Sequence, residues 1–363
     1  MARVNISAVL LIALCIAGAN AQSCVGRCGE NDGTTGCQCN SVCSNFADCC
    51  SDYEAVCLTC SDRCGDPYVS SAPCHCNSEC SSHNNCCSDY DALCGGSTGG
   101  SVTNAEILAI TEELGALDAN NVATSVVIDM QGKTTSGSTA DLAPGPLFVT
   151  VPELTADTFV LFEALRDNYA PYTNVAEDNT LAEQAEVASF LDAVLATPLM
   201  VRLDQFMTEK QLITGTLRQN IEEIWFTLYS RSGSTLGSSG FEHSFVGELE
   251  GGDVGGFHNW VSYEIEEAAG NTNYRGYIEY TDLGTSGYVF TNQFTWYDAE
   301  KPIGGYLIGT SPEYELAVYT LCFFARPNAQ CHVQTNGVEY FIQTYELQSN
   351  GLTLVGSAYP GVV

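Results

Sequence analysis

Sixteen cysteines crowded between Cys24 and Cys94, in two copies of one spacing, constrain this chain more than any other feature. Residues 24–57 read C-x3-C-x8-C-x-C-x3-C-x5-CC-x6-C, and residues 60–94 repeat that spacing with one residue added to the longest gap. The segments CNSVCSNFADCCSDYEAVC and CNSECSSHNNCCSDYDALC match almost residue for residue. Stretches this short bury too little surface to hold together by packing alone, so covalent cross-links must hold them. The set is Cys24, Cys28, Cys37, Cys39, Cys43, Cys49, Cys50 and Cys57, then Cys60, Cys64, Cys74, Cys76, Cys80, Cys86, Cys87 and Cys94. Adjacent CC pairs argue for a disulfide framework over a zinc cluster, although spacing does not give the pairing.

The start of the chain agrees with an oxidising destination. MARVNISAVLLIALCIAGANAQ carries one basic residue, Arg3, an apolar run from Ala8 to Ala17 and an A-x-A site ending at Ala21. This is a secretory leader over residues 1–21, and it predicts a secreted, extracellular protein that does not cross the membrane. Of nineteen cysteines Cys15 leaves with the leader, and Cys322 and Cys331 complete an even set of eighteen. That last pair is a candidate disulfide closing a hairpin, with two buried free thiols as the alternative.

Charge sets the main difficulty. The formal net charge is -32, with 12 Lys and Arg against 44 Asp and Glu. Proteins that grip nucleic acid usually carry a basic surface, because phosphate contacts release counterions. A polyanionic ligand would have to be held by few cations or with divalent ions. Arg202, Lys210, Arg218 and Arg326 are the candidates for phosphate contact, and ordinary surface ion pairs are the simpler reading of each.

GGSTGGSV, after Cys94, reads as a flexible linker over residues 96–103. Beyond it the pattern is first helical. NAEILAITEELGAL opens on an Asn cap, TLAEQAEVASFLDAVLATP runs to Pro198, and TEKQLITGTLRQNIEEIWFTLYSR continues in the same style. From Gly240 the chain turns to aromatic and β-branched runs: YRGYIEYTDL, GYVFTNQFTW, EYELAVYTLCFF and VEYFIQTYEL, all read as strands. A helical half followed by an antiparallel sheet half is an α+β domain over residues 104–363.

Within that half, GFEHSFVGELEGGDVGGFHNWVSY holds His243 and His258, and Lys301 opens KPIGGYLIGTSPEYELAVYTLCFF. Two imidazoles and an ammonium suit metal-free RNA cleavage: one ring takes the 2′-hydroxyl proton, the other protonates the departing 5′-oxygen, and the lysine balances charge. A structural role for the pair is the alternative. A simple hairpin through Glu250 to Val254 would leave the histidines three residues out of register, about 10 Å apart, unless a bulge or loop brings them together.

GFEHSFVGE, GFHNW and GTSPEYELAVYTLCF together resemble the EndoU family of poly(U)-specific endoribonucleases, the placental protein 11-like group, over residues 104–363. The cysteine repeats, at 22–58 and 59–95, resemble somatomedin B domains, an arrangement found in that family. The resemblance implies a uridylate-specific endoribonuclease of lyase type, cutting single-stranded RNA to 2′,3′-cyclic phosphate and 5′-hydroxyl ends. It implies His258 as base, His243 as acid and Lys301 as the third catalytic member, with the two histidine roles interchangeable. It implies Glu242 and Glu248 as supporting or metal-binding residues, with a solvated strand edge as the alternative. It also implies Tyr345, and Thr344 or Gln343, as substrate-binding. Mn2+ is the implied cofactor, with Ca2+ the second choice, and carboxylates the implied ligands. The cysteine-rich modules imply an extracellular protein partner, reached through segments such as Asp52, Tyr53, Asp89 and Tyr90, unless those tyrosines simply pack over the disulfides. A monomer is expected. Two other readings stand beside the nuclease: a catalytically weak binding protein using the modules, and a Ca2+-binding matrix component.

Overall fold

A computed structural model describes residues 102–231 and 233–363 and, before them, 23–24, 28–29, 37–40, 42–46, 48–60, 71–77, 80, 85–87 and 90. The leader, Cys15, Cys64, Asp89, Cys94 and most of the linker lie outside the described residues. Two compact units divide at Ser101 and Val102.

In the first unit, α1 (Cys43–Phe46) and α2 (Tyr53–Cys57) are single turns. The first repeat pairs Cys24 with Cys39, Cys28 with Cys57, Cys37 with Cys50 and Cys43 with Cys49. The second pairs Cys60 with Cys76, Cys74 with Cys87 and Cys80 with Cys86. Half-cystines make up most of both small cores, and Tyr53 and Tyr90 are buried against them. Asp52 accepts Ser23 Oγ at 2.6 Å and the Cys24 amide at 2.9 Å. Tyr53 and Tyr90 thus pack over the disulfides, one of the two readings open in the sequence, and Asp52 is engaged within the module.

The second unit begins with α3 (Asn104–Ala116), a short hairpin of β1 (Val127–Ile128) and β2 (Phe148–Thr150), then α4 (Asp157–Leu165), α5 (Leu181–Leu195), α6 (Pro198–Glu209) and α7 (Leu217–Phe226). Thr103, not Asn104, caps α3, sharing a reciprocal capping box with Glu106. Thr180 with Glu183 and Thr216 with Gln219 repeat the device on α5 and α7. Pro198 stands at the first position of α6, where its missing N–H costs nothing, so it opens a helix as well as ending one.

There follow β3 (Glu248–Glu250), β4 (Asp253–Gly255), α8 (Trp260–Ala268), β5 (Thr272–Asp282), β6 (Tyr288–Trp296), β7 (Ala299–Ile308), α9 (Pro312–Ala325), β8 (Gln330–Thr335), β9 (Val338–Ser349) and β10 (Leu352–Gly361). Five strands order as β3-β4-β7-β6-β5 and three as β10-β9-β8. Pairing is antiparallel except where β4 runs parallel to β7, at Asp253 and Glu300.

EYELAVYTLCFF is therefore a helix and not a strand. Ser311 caps α9 by accepting the Tyr314 amide, Pro312 follows at the first position, and nearly every residue of the helix is buried. A helix buried all round has no polar face to announce its period, so it reads like a buried strand. It touches α3, α4, α5 and α6 as well as β9 and β10, so helical half and sheets share one core. Cys322 in its last turns bonds to Cys331 at the start of β8, joining helix to strand rather than closing a hairpin. Among the described residues no helix is long and apolar enough to cross a membrane.

Candidate active site

His243 is not on a strand. It sits in a π-helical turn, Glu242–Val246, that ends at Gly247 immediately before β3. The β3–β4 hairpin then carries the chain out and back, and Gly256 and Phe257 both take left-handed conformations, φ 56° and 65°. There the Phe257 amide donates to the His243 carbonyl and the His258 amide to the Ser244 carbonyl, each at 2.8 Å. A β-carbon at Gly256 would lie 1.7 Å from the His243 carbonyl oxygen, so only glycine permits this crossing. The two histidine segments are thus in direct backbone contact. Hairpin register does not hold the two histidines apart, because neither belongs to the hairpin.

His243, His258 and Lys301 line one cavity of about 410 Å³, together with Gly305 and Tyr359. His258 Nδ1 lies 3.2 Å from the Gly305 carbonyl, which can only accept, so Nδ1 carries the hydrogen and Nε2 keeps its lone pair. Burial, then Lys301 and His243, hold this imidazole well below its ordinary pKa. His243 Nδ1 lies 2.6 Å from Glu248 Oε2, which also takes Arg231 Nε at 2.7 Å. Burial and the Arg231 charge bring His243 down to about 4, against the opposing pull of Glu248. Burial resists ionisation of Glu248, yet His243 and Arg231 keep its carboxyl below the ordinary value. Lys301 donates to the Val254 carbonyl at 3.2 Å, and burial lowers it to about 8.

Glu242 and Glu248 are not a solvated strand edge; both are buried, at 0% and 1% exposure. Neither oxygen of Glu242 has a partner, nor does Oε1 of Glu248. Burial, Glu248 and Glu177 push Glu242 up to about 10, so it stays protonated at neutral pH. Glu248 Oε2 already meets both Arg231 and His243, so that oxygen is committed away from a cation. Among the described residues, sites where three His, Cys, Asp or Glu donor atoms converge occur only at disulfide sulfurs.

On β9, Thr344 is fully buried and shares the core face with Tyr340 and Ile342. Alternation puts Gln343 and Tyr345 on the other face, with Gln343 opposite Tyr359 of β10. Tyr345 is 46% exposed, its ring 6.3 Å from that of Tyr359, which in turn lies 4.9 Å from the His258 ring. Thr344 is thus turned into the core, while Gln343 shares the face of Tyr345.

Arg231, Gly305 and Tyr359 are site residues that no sequence signal singled out. Arg231 donates to the Gly356 carbonyl at 2.7 Å and to the Tyr229 hydroxyl at 3.0 Å, besides holding Glu248, and no short motif marks it. The supposed phosphate cations are engaged elsewhere. Arg202 pairs with Glu113, Lys210 with Glu106, and Arg218 with Asp192 and Glu222. Arg326 donates to the Val102 carbonyl and to Asn104.

Known proteins resemble the chain over both of its units. The pattern of the family described as Endoribonuclease XendoU matches residues 106–360, and that of the somatomedin B domain matches 22–59 and 58–97. A uridylate-specific endoribonuclease of Paralichthys olivaceus is 39% identical over 359 residues, covering 93% of both chains. One of Mus musculus is 33% identical, covering 99% of this chain and 98% of its own. The solved structure of XendoU, titled as a splicing-independent snoRNA-processing endoribonuclease, is 35% identical with a TM-score of 0.59, covering 71% of this chain and 96% of that one.

Proposed function

This chain belongs to the Endoribonuclease XendoU family and carries two somatomedin B domains, and from that premise we propose that it is a secreted enzyme cleaving single-stranded RNA at uridylates by transphosphorylation. One observation carries the reading: two imidazoles on hydrogen-bonded backbone segments share a cavity with a buried lysine.

His258, neutral with Nε2 free, takes the 2′-hydroxyl proton. The 2′-oxygen bonds to the adjacent phosphorus, and the bond from phosphorus to the 5′-oxygen breaks. His243 delivers a proton to that leaving oxygen, giving a 2′,3′-cyclic phosphate and a 5′-hydroxyl without consuming water. Burial and Arg231 hold His243 at about 4. A bound phosphodiester adds negative charge beside it and raises its proton affinity, so substrate loads the acid. The Lys301 ammonium stabilises the charge gathering on the phosphorane. The Tyr345 and Gln343 face of β9 seats the uracil.

No step is assigned to a metal. Dependence on Mn2+ or Ca2+ would arise from cations shared between surface carboxylates and RNA phosphates, which offset the net charge of -32. The leader at 1–21 and the disulfides support secretion, with modules at 22–58 and 59–95, a linker at 96–103 and the catalytic domain at 104–363. A protein partner of the modules belongs to this proposal, through surfaces other than the buried Tyr53 and Tyr90.

The test is incubation of the purified protein with a uridine-containing oligonucleotide, with and without Mn2+. Cyclic-phosphate ends are expected, and His243→Ala, His258→Ala and Lys301→Ala should each reduce cleavage by at least ~10²-fold. Unchanged cleavage in the three variants would overturn this site, and absence of cleavage by the unaltered protein would leave the binding-protein reading in its place.

A further inference from the structure

A second cavity, about 450 Å³ and as roomy as the catalytic one, opens at the far end of the β3–β4 hairpin. Tyr172, Asn174, Glu250, Gly251, Tyr297 and Asp298 are among its walls. Tyr172 and Tyr297 are 51% and 49% exposed, unusual for large aromatic side chains on this domain. They are near enough to influence each other electrostatically.

Both rings stand on fixed backbone. Residues 171–173 add an edge to β3: the Leu249 amide donates to the Pro171 carbonyl at 2.6 Å, and the Thr173 amide to the Leu249 carbonyl. Tyr297 and Asp298 form the two-residue turn between β6 and β7, with φ 46° and 65°. Turns of this kind favour Asn-Gly or Asp-Gly, because a β-carbon resists positive φ. A tyrosine there is a poor choice for the turn, and strain of this sort is typical of a side chain held for use. Asn271 steadies it by donating to the hydroxyl at 3.1 Å, and the Tyr297 amide donates to the Asn271 carbonyl.

The groove continues the catalytic pocket. Gly251 and Gly252 line the groove and Gly256 the pocket, at opposite ends of a hairpin about 10 Å long. On β7, Ala299 lines the groove and Lys301, two residues on, the pocket. A strand whose scissile phosphate lies between His243 and His258 therefore passes this groove a short way along.

We propose that the groove is a second nucleobase subsite, in which Tyr172 and Tyr297 stack a base lying beyond the immediate neighbour of the cleaved uridylate. This rests on the endoribonuclease reading above. The occupant is a base and not a phosphate, because Glu250 and Asp298 repel phosphate. Their carboxylates only accept hydrogen bonds, so they favour bases with an exocyclic amino group, adenine, cytosine or guanine, over uracil. The enzyme thus takes uracil at the cut and an amino-bearing base further along the strand.

The experiment compares uridylyl-adenosine, too short to reach the groove, with a decamer containing one uridine among adenosines. In the Tyr172→Ala, Tyr297→Asn double variant, KM for the decamer should rise about tenfold while dinucleotide kinetics stay unchanged. Asparagine suits the turn, so folding is preserved and Tm should not fall through that substitution. Tyr172→Phe with Tyr297→Phe should behave as the unaltered protein. A decamer with abasic flanks should bind weakly to begin with and lose nothing more in the double variant. Fluorescent decamer binding to His258→Ala protein, with and without the two groove substitutions, reads the subsite without turnover and should show the same tenfold loss. An unchanged decamer KM and Kd, or a parallel fall in dinucleotide cleavage, would overturn the subsite and leave the endoribonuclease intact. Absence of cleavage in the unaltered protein would overturn the endoribonuclease reading, and the binding arm would still decide the groove.

Discussion

Arg231 and His243 meet on a single atom, Oε2 of Glu248, at 2.7 and 2.6 Å. The carboxylate orients the imidazole with its Nδ1 hydrogen inward, and the guanidinium keeps that carboxylate ionised in a buried setting. Glu248→Gln removes the charge that both partners share. It should cut kcat by about 10- to 100-fold with a smaller effect on KM. Single-turnover kinetics on a uridine oligonucleotide would show it, and a change in KM alone would mean that Glu248 positions substrate instead.

Lys301, lowered to about 8 by burial, is charged below that pH and neutral above it. The help to the phosphorane proposed above requires the charged form. The rate should therefore fall as pH rises through about 8, and Lys301→Arg should move that fall upward, since guanidinium keeps its proton. A pH–rate profile that does not respond to Lys301→Arg would assign the basic limb to another group.

Glu242 has a folded-state pKa raised to about 10, far above its unfolded value. A group shifted in this direction contributes its full stability below the unfolded pKa and loses it as pH climbs through the folded one. At neutral pH the fold is already working against ionisation of the unfolded chain. Glu242→Gln should raise stability by roughly 3 kcal/mol at pH 7, with the gain vanishing near pH 4. Calorimetric melting at the two pH values measures it.

Gly256→Ala places a β-carbon on the His243 carbonyl and strains a left-handed residue. Activity should fall by at least ~10²-fold, because small displacements of reacting groups are costly. Tm should fall as well. The circular dichroism spectrum should remain that of a folded protein, since the collision is confined to the crossing.

Much of this was readable in the chain and some was not. Cysteine spacing marked the two modules because covalent frameworks leave their geometry in the sequence. His243, His258 and Lys301 stood out as chemistry in aromatic, glycine-rich surroundings, and the structure brings them into one cavity. Their closeness was hidden, because it depends on a π turn and a left-handed step at Gly256 and Phe257 that no alternation pattern encodes. α9 was misread for the opposite reason: its apolar residues face every direction. Arg231 was invisible since its role comes from where Glu248 arrives.

The pairing of this domain's few cations has an effect well outside the catalytic pocket. Arg166, Arg202, Lys210, Arg218, Arg231 and Arg275 each spend their charge on a neighbouring carboxylate. Little positive field is left to draw nucleic acid from a distance, and the acidic remainder pushes it away. On the endoribonuclease reading, the first discrimination among RNAs would fall at encounter, in the solvent, before any base reaches the pocket.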